Sequence, residues 1–394
     1  MTLKTTSVAV VKSMQLPRKP EFDALRGLFL VWMTLTHLPT RISDLVNQPF
    51  GFISSAEGFV FLSALLVGRV YMRQATENSG QLRSKLWKRA LRVYAYHVVL
   101  LLLAFTFAAA FAVYRHHAAL EHLLDFYLAH PAVAIVGSLL LIYCPPLLDI
   151  LPIYVIFLLA SPFAFSIAVK RSWRPVIVGS TIIWLLAQFG LRAVVQHFVV
   201  SVTHLPIPLQ QWGAFNLFAW QWVWIMGMWM GARSVEGELP LHSMPKWAIW
   251  VAGAVCLFFV GVRHDLLGAR LTQEHLEILV DKWQLGPLRL LNLIAFVCVL
   301  YGLRGAVGWL VSREPFITLG RASIEVFCAH LLFVFVGLAL LYGEVPQLHG
   351  VYALSLLIAT FIGLLYVAQR QVRRKHAEKA RAARAPSPIA NTAA

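Results

Sequence analysis

A chain of 394 residues with 59% hydrophobic and 13% charged residues is not an ordinary soluble domain. Such domains carry about 25% charged residues, and a compact fold must turn its surface to water. A net charge of +16 would point to nucleic acid in a soluble protein; in a chain this apolar it reads as membrane topology, because basic residues collect on the cytoplasmic side, and no nucleic-acid partner is expected.

Residues 1–21 read as a cytoplasmic N-terminal segment, with Lys4, Lys12, Arg18 and Lys19 but no apolar core of signal-peptide kind. A helix needs roughly 20 apolar residues to cross the hydrocarbon core. Apolar runs of about that length follow at 23–40, 50–71, 93–114, 149–169, 175–199, 212–231, 247–263, 287–303, 321–342 and 350–369. The predicted fold class is an all-α polytopic membrane protein of about ten transmembrane helices, with both termini cytoplasmic and a single transmembrane domain over 22–369. Between the second and third runs, 73–92 mixes Arg and Lys with Leu82, Leu86 and Trp87, the pattern of an amphipathic helix lying on the inner leaflet. The stretch 131–148 is apolar from Ala132 to Ile142 and then broken by Pro145 and Pro146. With ten spans, 26 of the 34 Lys and Arg fall on the cytoplasmic side, against Arg41, Arg115, Arg263, Arg270, Lys282 and Arg289 outside. An eleventh span at 131–148 would invert everything after it and spoil that asymmetry, so this stretch is predicted as a re-entrant or interfacial helix on the outer side. The tail, 370–394, is basic, then low in complexity, and is predicted to be disordered and cytoplasmic. No internal repeat is visible, which weakens an inverted-repeat transporter.

Ionisable side chains inside a span are costly unless paired or hydrated, so they mark the functional candidates. In the first run, Arg26 and His37 are eleven residues apart. Eleven steps of about 100° return to the same helix face after a rise of about 16 Å. Arg26 then lies near the cytoplasmic end and His37 near the outer end of one polar stripe. That arrangement suits a donor entering from the cytoplasm and reacting outside, although snorkelling and a structural histidine fit the spacing equally well. Glu57 opens the second run at a similar depth to His37 and can orient its ring as a catalytic partner, or serve as a structural ion pair or helix N-terminal acid. Further polar candidates are Asp23, Asp149, Arg192, Asn216, Gln221, Asp281, Lys282, Arg289, Asn292, Arg321, Glu325 and His330; for His330, predicted mid-membrane, an uncharged structural role is expected. The four cysteines have no zinc spacing, and the chain lacks a phosphate-binding loop, a His-Glu-x-x-His and a Gly-x-Ser-x-Gly elbow. No bound cofactor or metal is expected.

The run Asp23-Ala-Leu-Arg26-Gly27 followed by His37 resembles the first helix of acyltransferase type 3 membrane proteins, whose hallmark is an Arg, ten residues and a His. More of the chain is similar to the OpgC family. The stretches that carry this are Ser55-Ala-Glu57-Gly58-Phe59, Leu151-Pro152-Ile-Tyr154, Phe215-Asn216 through Trp220-Gln221, Asp281-Lys282 through Leu288-Arg289-Leu-Leu-Asn292, and Leu319-Gly320-Arg321-Ala-Ser323 through His330. The resemblance implies a bacterial inner-membrane, multi-pass O-acyltransferase embedded in membrane lipid. It would move a succinyl or other acyl group from a cytoplasmic acyl-CoA, succinyl-CoA first, to a hydroxyl of an osmoregulated periplasmic glucan, with glucan-synthesis proteins as further partners. It carries over His37 and Arg26 as the key pair, and supports catalytic roles for Asp23 and Glu57. Arg26 and Arg321 would then bind the donor. Asp149, Asn216, Gln221, Asp281, Lys282, Arg289 and Asn292 would line the acceptor path or pore. The rival readings are a transporter or exporter of a glycan or organic acid, and an acetyltransferase for another surface polysaccharide.

Overall fold

The computed structural model describes residues 19–237, 239–266, 274–311, 313–341 and 347–384; of the segments predicted at the two ends, 1–18 and 385–394 lie outside the described residues, as does Arg270. Among the described residues the regular structure is helical, with one isolated bridge between Thr40 and Leu348. The main helices are α1 (Pro20–His37), α2 (Ser55–Glu77), α3 (Ser79–Arg115), α4 (Pro131–Leu139), α5 (Ile150–Lys170), α6 (Trp173–Gln188) and α7 (Leu191–Thr203). After them come α8 (Leu217–Glu236), α9 (Lys246–Arg263), α10 (Pro287–Gly302), α11 (Phe316–Arg321), α12 (Ser323–Ala339) and α13 (Gly350–Arg384), with short helical turns between some of them.

All ten apolar runs become helical, but they are not ten equal spans. Among the described residues five helices, α2, α3, α5, α9 and α13, are long and apolar enough to cross a membrane, and the bent pair α6–α7 makes six if counted as one. The run predicted as one span over 175–199 is broken: its halves meet at 84° where Gly190 adopts a left-handed conformation with φ +88°. A Cβ is unfavourable there, so glycine supplies the corner. α10 and α12, with 16 and 17 residues, rise about 24–26 Å against a core of about 30 Å. α1 carries Glu21, Asp23 and Arg26, and α8 carries Gln221 and four tryptophans. Lipid would penalise these groups, but both helices sit centrally, where neighbours cover them: Asp23 and Arg26 are buried on α1, and Trp220 and Trp224 on α8.

Two glycine contacts set that centre. A Cβ on Gly68 would overlap the Met228 carbonyl, and one on Gly231 the Leu65 carbonyl, so α2 and α8 run with their backbones nearly touching. Gly27 and Gly320 do the same for α1 and α11. Gly231→Val should therefore force α8 off α2. Overpacking of this kind costs about 1–3 kcal/mol, and backbone opposite backbone leaves little room for relief. A fall in the thermal midpoint of the purified protein in detergent, with aggregation on size exclusion, is the expected result; an unchanged midpoint would refute the close approach.

Two local predictions need revision, at 73–92 and in the tail, and the helix between Pro131 and Leu139 is short as expected. The basic stretch 73–92 is not a separate surface helix. From Ser79 it is continuous with the next apolar run in one 37-residue helix. Leu82, Leu86, Ala90 and Val93 form a buried stripe, and Trp87 Nε1 donates to the Leu159 carbonyl at 3.3 Å, so this part stands upright against α5. The stretch 131–148 does not cross. α4 has nine residues, about 14 Å, and the chain turns back at Leu141 with φ +61°, while Tyr94 Oη donates to the Leu139 carbonyl at 2.9 Å. A helix that short does not span the hydrocarbon core by itself. In the tail, 370–384 continues α13 as helix, held by Lys375 and Gln371 against Glu325.

Candidate functional site

The site is built around α1. At one end Arg26 is buried, and its Nη2 donates to Asp23 Oδ1 at 2.7 Å and to the Gly320 carbonyl at 2.6 Å. The second Asp23 oxygen lies 4.0 Å from Arg321 Nε. Asp23 thus fixes two cations on the close α1–α11 junction. Beside them is a cavity of about 300 Å³. Its wall gathers Arg26, Arg89, Arg92, Arg321 and Lys375 against one carboxylate, Glu325. A cluster of that sign suits a polyanionic ligand, phosphate groups included. Arg89 further donates to Tyr154 Oη at 3.3 Å. Arg26 and Arg321 were read from sequence as donor-side residues. Arg89, Arg92 and Lys375 join them only because α3 is one continuous helix and the tail continues α13.

Phe59 and Phe327 close the far side of this cavity, stacked with centroids 6.1 Å apart. One turn beyond Phe327, His330 is fully buried, and its ring faces that of His37. His330 Nδ1 is 2.5 Å from the Phe327 carbonyl, and His330 Nε2 is 3.2 Å from His37 Nδ1. A carbonyl only accepts, so the proton sits on His330 Nδ1 and its Nε2 must be the acceptor. His37 Nδ1 then donates, and His37 Nε2 carries a bare lone pair. Among the described residues that nitrogen has no partner; it is not sealed from the surroundings and belongs to a half-buried residue. A bare imidazole nitrogen with its other nitrogen fixed is the form needed in a general base or a nucleophile.

Glu57 does not hold His37. Its Oε1 accepts from Arg289 Nε at 2.5 Å, and its Oε2 from Ser54 N at 3.0 Å and Ser54 Oγ at 2.5 Å. The carboxylate is 0% and the guanidinium side chain 1% exposed. Both oxygens are consumed by a helix cap and an ion pair that pins α10 to the start of α2. Asn292, also fully buried, extends the pin by accepting from Phe52 N at 2.8 Å. Arg289 and Asn292 thus act as a clamp and do not line an open path. Asn216 caps α8 and donates to Gln284 at 2.6 Å, while Gln221 exchanges hydrogen bonds with Ser180 on α6. Asp149 accepts from Ala214 N at 3.0 Å, and Arg192 bonds the Gly213 carbonyl.

Of the other predicted polar residues, Asp281 and Arg192 face an open cleft, and Lys282 lies against aromatic rings. Asp281 lines a wide cleft of about 660 Å³ with Arg192, Glu277, Trp283 and Gln284. A tryptophan face beside carboxylates and an amide suits a sugar ring, which presents apolar C–H faces and a rim of hydroxyls. Lys282 packs against two aromatic rings. Its ammonium lies 4.6 Å from the Trp283 ring and 6.0 Å from that of Phe215, and among the described residues it makes no ion pair or hydrogen bond. Burial lowers its pKa, Glu57 raises it, Arg289 lowers it and Asp149 raises it, and its charge acts on the His37 ring. The two rings hold the ammonium by cation–π contact.

Fold and site together define a helical membrane protein with a basic cavity at one end of its bundle and a prepared imidazole toward the other. Residues 18–376 match the family model described as OpgC protein, and the chain belongs to that family. Membership implies a transferase and suggests a glucan-modifying acyltransferase. No curated protein and no solved structure matches the chain.

Proposed function

We propose that this protein is a multi-pass inner-membrane O-acyltransferase that moves a succinyl group from cytoplasmic succinyl-CoA to a hydroxyl of a periplasmic glucan. The carrying observation is the His37 ring, whose Nε2 is left bare by the His330 contact and which stands beyond a cavity lined by Arg26 and four further cations. In this reading both termini are cytoplasmic. The Arg26 end holds the phosphates of the donor, and its acyl-bearing arm passes between Phe59 and Phe327. The Asp281–Trp283 cleft presents the glucan.

His37 Nε2 takes the proton of a glucan hydroxyl as that oxygen attacks the thioester carbonyl. The C–S bond breaks, the thiolate of CoA leaves, and it recovers the proton from the imidazolium. The same bare nitrogen also suits direct attack on the thioester, giving an acyl-imidazole that the glucan hydroxyl then opens. Sequential or ping-pong kinetics separates the two routes. Lys282, the unpaired cation whose charge reaches His37, favours succinyl over acetyl because only succinyl brings a distal carboxylate.

Purified protein in nanodiscs, given labelled succinyl-CoA and glucan, should transfer label to the glucan. Movement of either compound across a sealed vesicle without transfer would instead establish the transporter. Arg92→Gln removes a cation that lines the donor cavity without breaking the α1–α11 junction, so the donor KM should rise about tenfold, the loss of about 1.4 kcal/mol, with the acceptor KM unchanged. An unaltered donor KM places the donor elsewhere. Lys282→Gln should cut the succinyl-over-acetyl preference about tenfold, again about 1.4 kcal/mol, read as the ratio of kcat/KM for the two donors. An unchanged ratio removes Lys282 from donor choice.

A further inference from the structure

On a neighbouring face of α1 from the donor cavity lies a second, apolar cleft of about 410 Å³ that shares no lining residue with it. Its walls come from α1, α2, α8 and α10, with Leu25, Phe29, Leu65, Phe296 and Leu300 among them. At its Arg26-side end stands Arg69, 8% exposed. The guanidinium reaches Ser234 Oγ at 3.2 Å and lies 5.9 Å from the Phe22 ring, and among the described residues it has no carboxylate partner. A buried, uncompensated charge is costly, and more so at membrane depth. Tyr301 lines the same cleft with its buried hydroxyl unpartnered. At the mouth, Lys19 and Arg304 outnumber the one carboxylate, Glu21. From Arg69 up to Gly58, where α2 meets the cleft's far end, is eleven residues, about 16 Å. That is half of the roughly 30 Å hydrocarbon core, the depth of one leaflet.

We infer that this cleft binds one anionic phospholipid from the leaflet on the Arg26 side, with its phosphate on Arg69 and an acyl chain along the Leu65–Phe296 walls. The apolar walls supply the chain's environment. The excess of cations at one end selects a headgroup with net negative charge over a zwitterionic one. The bound lipid would fill the space between α1 and α10 and complete the packing of the central helices.

The test uses the full-length protein in detergent, followed by native mass spectrometry and thermal unfolding. Phosphatidylglycerol should stay bound and raise the unfolding midpoint, and phosphatidylcholine should be retained at least tenfold less. Arg69→Gln should lose the preference, Arg69→Lys should keep part of it, and Leu65→Trp, which fills the cleft, should lose retention of both lipids. If Arg69→Gln fails to fold, the comparison of Leu65→Trp with the unaltered protein still decides. Equal retention of the two lipids, or full phosphatidylglycerol retention by Leu65→Trp, overturns the proposal. So does displacement of the lipid by succinyl-CoA, which would make the cleft the donor's, or an equal thermal shift from inorganic phosphate alone, which would make the ligand a free anion.

Discussion

His37→Ala is expected to reduce acyl transfer by about 10²–10⁴-fold at unchanged expression, the range carried by a positioned acid–base group. The removed ring supplies the bare nitrogen, and none of the groups placed around it replaces that. The nearest titratable ring, His330, donates its Nδ1 proton to the Phe327 carbonyl and spends its Nε2 on His37. The same contact makes a second, sharper expectation. His330→Phe keeps a ring in the stack but removes the acceptor, so His37 loses the bond that fixes its tautomer. Activity should fall about 10²-fold, with an altered pH profile of kcat/KM. His330→Gln can still accept through its side-chain oxygen and should recover part of the loss. A purely structural His330 predicts the opposite pattern: Phe, the better core residue, would retain activity and Gln would not. Near-normal transfer by His37→Ala in the labelled nanodisc assay would end the catalytic reading altogether.

Glu57→Ala is expected to be the most destabilising single change in the chain, by about 3–5 kcal/mol, because it leaves the Arg289 guanidinium charged, 1% exposed and without its partner. The cap on α2 goes with it, since Ser54 loses the carboxylate it bonds. Replacing both members, Glu57→Leu with Arg289→Leu, removes the charges together and should restore much of the stability, as apolar replacement of a buried pair often does. Thermal unfolding of the three proteins in detergent measures this directly. A Glu57→Ala protein as stable as the starting one, yet inactive, would return Glu57 to the catalytic role expected from sequence.

The Arg26–His37 register on α1 and the partner of Glu57 on α2 differ in range. Arg26 and His37 share a face because helical geometry alone brings residues eleven apart into register. The partner of His37 is 293 residues away, and that of Glu57 is 232 away. Equal depth in the membrane made Glu57 and His37 look like partners, but depth fixes one coordinate and leaves the rotation and neighbour of each helix open. The basic cavity is half legible for the same reason. Arg26 and Arg321 stood out inside apolar runs. Arg89, Arg92 and Lys375 lie in stretches rich in basic residues, where nothing local separates a ligand-facing cation from a solvated one.

By itself the sequence determined an all-helical membrane protein, the ten apolar stretches that become helices, and the placement of a cation and an imidazole along one face of the first. These follow from composition, from the length needed to bury backbone polar groups in lipid, and from the period of the helix. The tertiary structure alone decided that α6 and α7 bend apart at Gly190, that Glu57 belongs to Arg289, and that His330 leaves His37 Nε2 bare. Those outcomes depend on which helices approach closely enough to touch. That is set by contacts such as Gly68 on Met228 and Gly27 on Phe316, between positions far apart in the chain whose proximity no local pattern encodes.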